Sequence, residues 1–350
     1  MTTVTEPVGP RPVSLDGGEL RELTRLEKTF GPEWARIIKG IITNPLSVAG
    51  ILLITFFGLV ALFAPVLAPK PRPNADPMQI PRDGFRSEPQ PPGSVWNKNA
   101  PATIPFWYRP VTGNDEWVHL WGTTSGQYDI WYGTIWGTRT AFLASFLVTV
   151  SSAIVGIIVG ALSGFYGGWI DEILMRVVEI FNAFPFITGA LILASLLTPL
   201  FGRSIWPATI ALIIFGWTGY ARQLRGDILA TKQRDYVLAA RASGAKDSHL
   251  MLRHVVPNAV FPTMVIISLN LGSVVLAFAA LSFLGIGLPE GYADWGQVTS
   301  FARSWILTLD QHWYIMVFPG VALLLYGLGW NLIGDALRDI LDPKLRGKKA

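Results

Sequence analysis

The chain has 350 residues, 51% of them hydrophobic and only 15% charged, against about 25% charged in an ordinary soluble domain, so a soluble class is excluded. It contains no cysteine, which rules out a disulfide framework and a thiolate metal site. Its net charge of +4 is modest and comes without an arginine-rich arm or stacked-aromatic motif, so no nucleic-acid partner is expected and the basic residues are read through membrane topology.

Residues 1–45 are polar and carry Arg21, Arg25, Lys28, Arg36 and Lys39. A secretory signal would place a shorter apolar core nearer the start. The first apolar run, "LSVAGILLITFFGLVALFAPVLA" (46–68), is long enough to cross a bilayer, which takes about 20 apolar residues, and is read as a retained membrane helix.

Residues 69–135 follow as one large external insertion. Pro69, Pro71, Pro73, Pro77, Pro81, Pro89, Pro91, Pro92, Pro101, Pro105 and Pro110 exclude a long helix and favour extended, turn-rich chain. Trp96, Phe106, Trp107, Tyr108, Trp117 and Trp121 supply apolar anchors that a free linker would not need. Two readings stand: a flap packed on the outer surface, or a lid that also contacts delivered substrate or its carrier.

Five further spans come from hydropathy: Thr140–Phe165, Ala183–Phe201, Ile205–Tyr220, Ala259–Leu284 and Trp313–Ile333, with a short turn around Gly202. Residues 136–334 thus form a five-helix core, and 335–350 a basic tail. The stretch between the fourth and fifth spans carries Arg222, Arg225, Lys232, Arg234, Arg241, Lys246 and Arg253, and the tail Arg338, Lys344, Arg346, Lys348 and Lys349. The positive-inside rule therefore puts that stretch and both termini in the cytoplasm. In the second span Gly156, Gly160 and Gly164 repeat every four residues, a spacing that lets membrane helices approach closely.

The stretch "DYVLAARASGAKDSHLMLRHVVPN" (235–258) is too polar for lipid but reads as structured. Asp235 to Ser243 are good helix formers, and Gly244 fits the left-handed position that ends a helix. Asp247 or Ser248 can cap a second helix running to Pro257, where the chain bends back toward the membrane. Ala239, Ala240 and Ser243 present a small face. Chemistry leaves two uses for this elbow: docking another protein, or resting on lipid headgroups.

The spacing Leu238-Ala239-Ala240, Gly244 and His254-Val255-Val256-Pro257 resembles the EAA motif of binding-protein-dependent ABC importer permeases: E-A-A, three residues, G, nine residues, I-x-L-P. The alanines, glycine and proline match, whereas Leu238 replaces the glutamate and His254 the isoleucine. "HLWGTTSGQYDI", "GFYGGWIDEILMR", "YARQLRGDIL", "LSFLGIGLP" and "GDALRDILDPKLR" are similar to the dipeptide/oligopeptide/nickel branch of that family, in its second-subunit type. "GTTSGQYDI" lacks the Gly-Arg-Asp usual there, keeping only Asp129. The resemblance covers residues 35–70 and 118–346, and 71–117 lies outside it.

That resemblance implies an all-α membrane protein with six transmembrane helices of the type I ABC importer permease kind, in the inner membrane of a prokaryote. It implies a second homologous permease, two ATP-binding subunits that use ATP and Mg, and an external solute-binding protein delivering short peptides. The elbow would couple to the ATPases through Asp235, Leu238, Ala239, Ala240, Ser243, Gly244, His254 and Pro257, with Asp235 standing in for the missing glutamate. Nickel chelates or another small solute are the alternative cargo. An ATPase-independent channel or secondary carrier is the further alternative, but no paired intramembrane charges or broken-helix repeats support ion coupling.

No catalytic site emerges. There is no G-x-x-x-x-G-K-[ST] loop, so the chain is not expected to hydrolyse ATP, and no cofactor is expected on it. His119, His249, His254 and His312 lack metal-ligand spacing. Asp171 and Glu172 are expected to be solvated or paired to Arg176. Asn182 and Asn270 are polar groups in or beside spans, and either line the substrate path or hydrogen-bond a neighbouring helix.

Overall fold

The computed structural model describes residues 40–341 apart from 41, 86, 98–99, 102–103 and 114–115. The expected basic N-terminal segment and the end of the tail lie outside these. Pro45–Leu67 forms α1, opened by Asn44, whose side chain accepts from Leu46 N at 3.0 Å, with Pro45 in the first turn. Its 23 residues span about 35 Å. Ser47, Gly50, Phe57 and Ala64 face inward, while Leu52, Phe56 and Leu62 remain exposed on the lipid side.

Ile130–Tyr166 (α3) is the longest helix, at 37 residues. It begins ten residues before the expected span because Asp129 caps it through Tyr132 N (2.9 Å), so the boundary drawn at residue 135 falls inside a helix. The expected third span, Ala183–Phe201, is helical from Phe186, and a separate helix that hydropathy did not mark precedes it. Gly168–Asn182 (α4) and Phe186–Phe201 (α5) meet at an 84° bend ahead of which Pro185 disfavours helix for Phe184. After Gly202 (φ 67°), Ile205–Thr231 (α6) continues eleven residues past the expected end of the fourth span. Phe261–Phe283 (α10) and, after the short helix Leu309–His312 (α12), Tyr314–Leu341 (α13) complete the bundle.

Among the described residues, α1, α3, α10 and α13 are long and apolar enough to cross a membrane, and α4 with α5 makes a fifth span if the bent pair counts as one. The remaining expected span, α6, has the length, but Trp217, Thr218, Gly219, Tyr220 and Arg222 lower its apolarity. Packing explains this: α6 lies against α3, α5 and α10, so much of its surface meets protein rather than lipid. The outer side of the bundle runs from α10 to α13 to α1.

The three glycines of α3 determine how closely it meets α6. A Cβ on Gly156 would stand 2.5 Å from Tyr220 Cβ and 2.6 Å from Trp217 O; on Gly160, 2.6 Å from Ala221 O; on Gly164, 2.9 Å from Arg225 O. Each backbone occupies the space a side chain would need.

The insertion is a fastened cap. Ser94–Val95 (β1) pairs antiparallel with Val118–His119 (β2), and Tyr108–Thr112 forms the short helix α2. A helix C-terminus leaves carbonyls without partners. Here Trp107, Trp131 and Trp136 donate their indole N–H groups to Val66, Leu67 and Ala68 O at 2.9–3.0 Å, while Arg139 Nε donates to Ala61 O at 2.7 Å. Inside the cap His119 is fully buried, its Nδ1 2.6 Å from Asp129 Oδ2 and its ring 3.9 Å from that of Trp96. Trp121 stacks on Phe318 of α13 at 4.4 Å.

Candidate coupling elbow and polar path

The polar stretch after α6 folds at the end of the bundle opposite the cap. Arg234, in extended conformation, precedes Asp235–Ala242 (α7), and Asp235 lies in the first turn where a carboxylate opposes the helix dipole. Gly244 follows at φ 84°, with nothing within 4 Å of where its Cβ would be. The left-handed backbone alone therefore demands glycine there. Asp247–His249 (α8) comes next, with Lys246 rather than Asp247 or Ser248 at the cap position. A π-helical turn at Leu250–Val255 and Val256–Ala259 (α9) lead back to α10. The chain breaks its helix at Val260, between Pro257 and Pro262, and not at Pro257 itself.

Val237, Leu250, Val255 and Ala259 are buried against Ala161, Phe165, Leu224 and Ile228 of α3 and α6. Lys232 Nζ donates to Gly164 O at 2.8 Å, satisfying a carbonyl at the end of α3. The elbow is thus bolted to the two most closely packed helices, and a force on it passes into them. Its outer surface shows Tyr236, Leu238 and Leu252, exposed by 40%, 49% and 65%. Tyr236 and Leu238 stand on either flank of the buried Val237, so apolar side chains show on both sides of α7.

The predicted elbow residues divide between these two sides. Asp235, Leu238, Ala239, Ser243 and Pro257 are exposed. Ala240 turns inward onto the buried cluster, so the small face expected to include it is narrower. His254 is half-buried, its ring 5.6 Å from His249, and its carbonyl accepts from Asn258 Nδ2 at 2.7 Å. Ser243 Oγ donates to Ala239 O at 2.9 Å.

One contact beside the elbow has no local signature in the sequence. Asp171 does not pair with Arg176, which meets Glu179 on the surface at 3.4 Å. Asp171 instead takes both Nε and Nη2 of Arg225, each at 2.6 Å, and also accepts from Ser163. The pair ties α4 to α6 beside the elbow. Both residues lie in family-like stretches, yet 54 positions separate them, and no local spacing joins them.

Halfway along the bundle a cavity of about 340 Å³ opens among α3, α5, α6 and α10, with Thr149, Ser152, Thr218, Tyr220, Asn270 and Ser273 on its walls. Asn270 Nδ2 donates to Tyr220 OH at 2.8 Å, and Thr149 Oγ1 is buried without a partner among the described residues. Asn270 therefore both lines the cavity and bonds a neighbouring helix. Asn182 lies outside it, donating to Val178 O and accepting from Thr218 Oγ1 at 3.1 Å, which joins α4 to α6.

The fold and these sites define a multi-pass helical membrane protein with a polar interior and an anchored, exposed elbow. Residues 156–347 match the family model described as binding-protein-dependent transport system inner membrane component. Residues 33–92 match the N-terminal TM domain of oligopeptide transport permease C, so the likeness continues past residue 70 into the cap. The chain is 29% identical over 313 residues to the dipeptide transport system permease protein DppC of Alkalihalophilus pseudofirmus, covering 89% of this chain and 90% of that one. It is 36% identical over 233 residues to the probable D,D-dipeptide transport system permease protein DdpC of Escherichia coli, covering 67% and 76%. Among solved structures, an inward-facing MetNI methionine ABC transporter chain aligns with TM-score 0.49 at 18% identity, over 60% of this chain and 97% of that one. The chain belongs to the family of inner-membrane components of binding-protein-dependent transport systems. It is a permease subunit.

Proposed function

We propose that this permease encloses half of a path for short peptides, paired with a second homologous permease and driven by two cytoplasmic ATPases that consume ATP and Mg. An external solute-binding protein delivers the peptide at the cap end. The observation that carries this reading is the elbow: buried Val237, Leu250 and Val255 fix it to α3 and α6, while Tyr236, Leu238 and Leu252 stay outside for a partner. Closure of the ATPase pair displaces the elbow, α3 and α6 move with it, and the polar cavity at Asn270 changes the side to which it opens. The polar lining suits peptides, whose shared backbone hydrogen-bonds while their side chains vary. The relatives named for dipeptide transport support that cargo.

Reconstitution of the four-subunit complex in liposomes tests the reading. Binding protein loaded with Ala-Ala should stimulate ATP hydrolysis several-fold and move the peptide inward. Stimulation by a nickel-loaded carrier with none by a peptide-loaded one reverses the cargo assignment. Orientation is tested on the natural absence of cysteine: in Ser243→Cys a membrane-impermeant maleimide should react from the cytoplasmic side alone.

A further inference from the structure

A second cavity, of about 480 Å³, lies at the cap end. Its volume falls within the roughly 300–1,000 Å³ of small-molecule sites. Arg203 reaches it from the α5–α6 turn, Glu290 from the segment after α10, and Gln297 and Arg303 from Trp295–Ser300 (α11) and the 3-10 turn that follows. Ser282 of α10 lines it nine residues along the helix from Ser273 of the mid-bundle cavity, about 13 Å at 1.5 Å per residue.

Its arginines are uncommitted, while Glu290 Oε1 already accepts from Tyr128 OH at 3.4 Å and keeps its second oxygen for a ligand. Among the described residues neither arginine is in an ion pair. Arg203 is exposed; Arg303 uses only Nε, on Ser300 O at 3.2 Å, with its guanidinium 4.9 Å over the Phe283 ring. Gln297 supplies an independent sign of a ligand. It is 6% exposed, its backbone N donates to Asp294 and its Nε2 to Pro289 O, yet its buried Oε1 has no donor among the described residues. Other buried side-chain atoms among the described residues share this condition, and what sets Gln297 apart is its place on the cavity wall, where an entering donor, water or ammonium, would complete it.

The cavity thus offers two guanidinium groups for an anion, and an amide oxygen with a carboxylate for a cation. We propose that it is a staging subsite for a zwitterionic short peptide: Arg203 and Arg303 hold the α-carboxylate, while Gln297 Oε1 and Glu290 accept from the α-ammonium. The bidentate geometry of guanidinium suits a free carboxylate and is lost with an amide. This rests on the peptide reading above and adds to it a requirement for free termini, imposed by the permease before the peptide reaches Asn270.

Saturation-transfer NMR on the complete complex in nanodiscs, with Ala-Ala, its C-terminal amide and N-acetyl-Ala-Ala as probes, tests it. The unaltered complex should bind Ala-Ala at least tenfold more tightly than either blocked form. Arg203→Gln with Arg303→Gln should erase the acid-over-amide preference, and Gln297→Leu the preference over the acetylated form. Assembly of each variant with its partners is checked by size exclusion. If the double variant fails to assemble, Arg203→Gln alone carries the test, because among the described residues the exposed Arg203 makes no side-chain hydrogen bond or ion pair. Equal binding of acid and amide, or a preference that survives the arginine changes, overturns the subsite. Inward movement of Ala-Ala by the unaltered complex is measured in parallel. Intact transport with no terminus preference sinks the subsite and leaves the peptide reading standing, whereas no transport of any peptide sinks both.

Discussion

Arg225 holds Asp171 through two parallel hydrogen bonds of 2.6 Å, so the amphipathic helix α4 and the buried helix α6 are joined at the level of the elbow. Ser163 of α3 donates to the same carboxylate, and three helices meet at one charge. With side chains 32% and 19% exposed, solvent screens part of the attraction. A double-mutant cycle of Arg225→Gln and Asp171→Asn should give a coupling on the order of 1 kcal/mol in thermal unfolding. Each single change should also reduce the transport obtained per ATP hydrolysed. Full additivity in both measurements would remove the pair from the coupling scheme.

The close approach of α3 and α6 separates two glycine substitutions that look alike in sequence. Gly160→Ala puts a methyl 2.6 Å from Ala221 O and should cost roughly 1–3 kcal/mol. Gly226→Ala on α6 has nothing within 4 Å and should be neutral, or stabilising by up to about 1 kcal/mol. Unfolding midpoints in detergent check both, and equal midpoints would contradict the packing described.

The elbow's exposed apolar side chains predict how its ATPase is held. Leu238→Ala should weaken association of the ATPase on the order of tenfold through lost apolar contact. In the unaltered complex that association should change little between 0.05 and about 0.5 M salt, because exposed charges are screened over that range and apolar contact is not. Leu238→Glu, restoring the family's carboxylate, should make it salt-sensitive. Asp235→Ala should reduce coupled hydrolysis if Asp235 supplies the missing polar contact; unchanged coupling removes that role.

Burial pushes the Asp294 carboxyl above the ordinary carboxylate range, and hydrogen bonds from Ser282 and the backbone of Gln297 and Gly296 offset this only in part. The sign follows directly. The folded chain keeps a proton that the unfolded chain releases, so Asp294 costs nothing below its unfolded pKa, and stability falls as pH rises from there toward the raised folded value. Asp294→Asn still caps α11 and should flatten that fall. Unfolding midpoints between about pH 4 and 8 decide it, and parallel curves for the two proteins would show that Asp294 contributes none of the slope.

Several parts of this molecule were written in local patterns. Apolar runs long enough for hydrocarbon marked the spans, clustered cations marked the elbow, and Gly244 marked its bend, because each needs only its immediate neighbours. Glycines at 156, 160 and 164 announced a close helix contact, but not that α6 is the partner. Composition also explains the early end that hydropathy gives α6 at Tyr220: a helix walled by protein tolerates tyrosine, threonine and arginine, which read as an end.

Contacts across the fold had no such signature. Three tryptophans capping α1 are distant from it in sequence, Trp107 in the cap and Trp131 and Trp136 at the start of α3, and their indole donors matter only because the fold brings both segments to those free carbonyls. Ala239 and Ala240 are adjacent and identical, yet one faces out and the other packs inward, since a helix rotates about 100° per residue and the position of α3 and α6 chooses the buried side. Asp171 had Arg176 within reach along its own helix and took Arg225 from another. Chain chemistry established a membrane protein with a bend at Gly244, resemblance alone made it a permease, and three-dimensional packing selected which side chains hold that bend and which stay exposed.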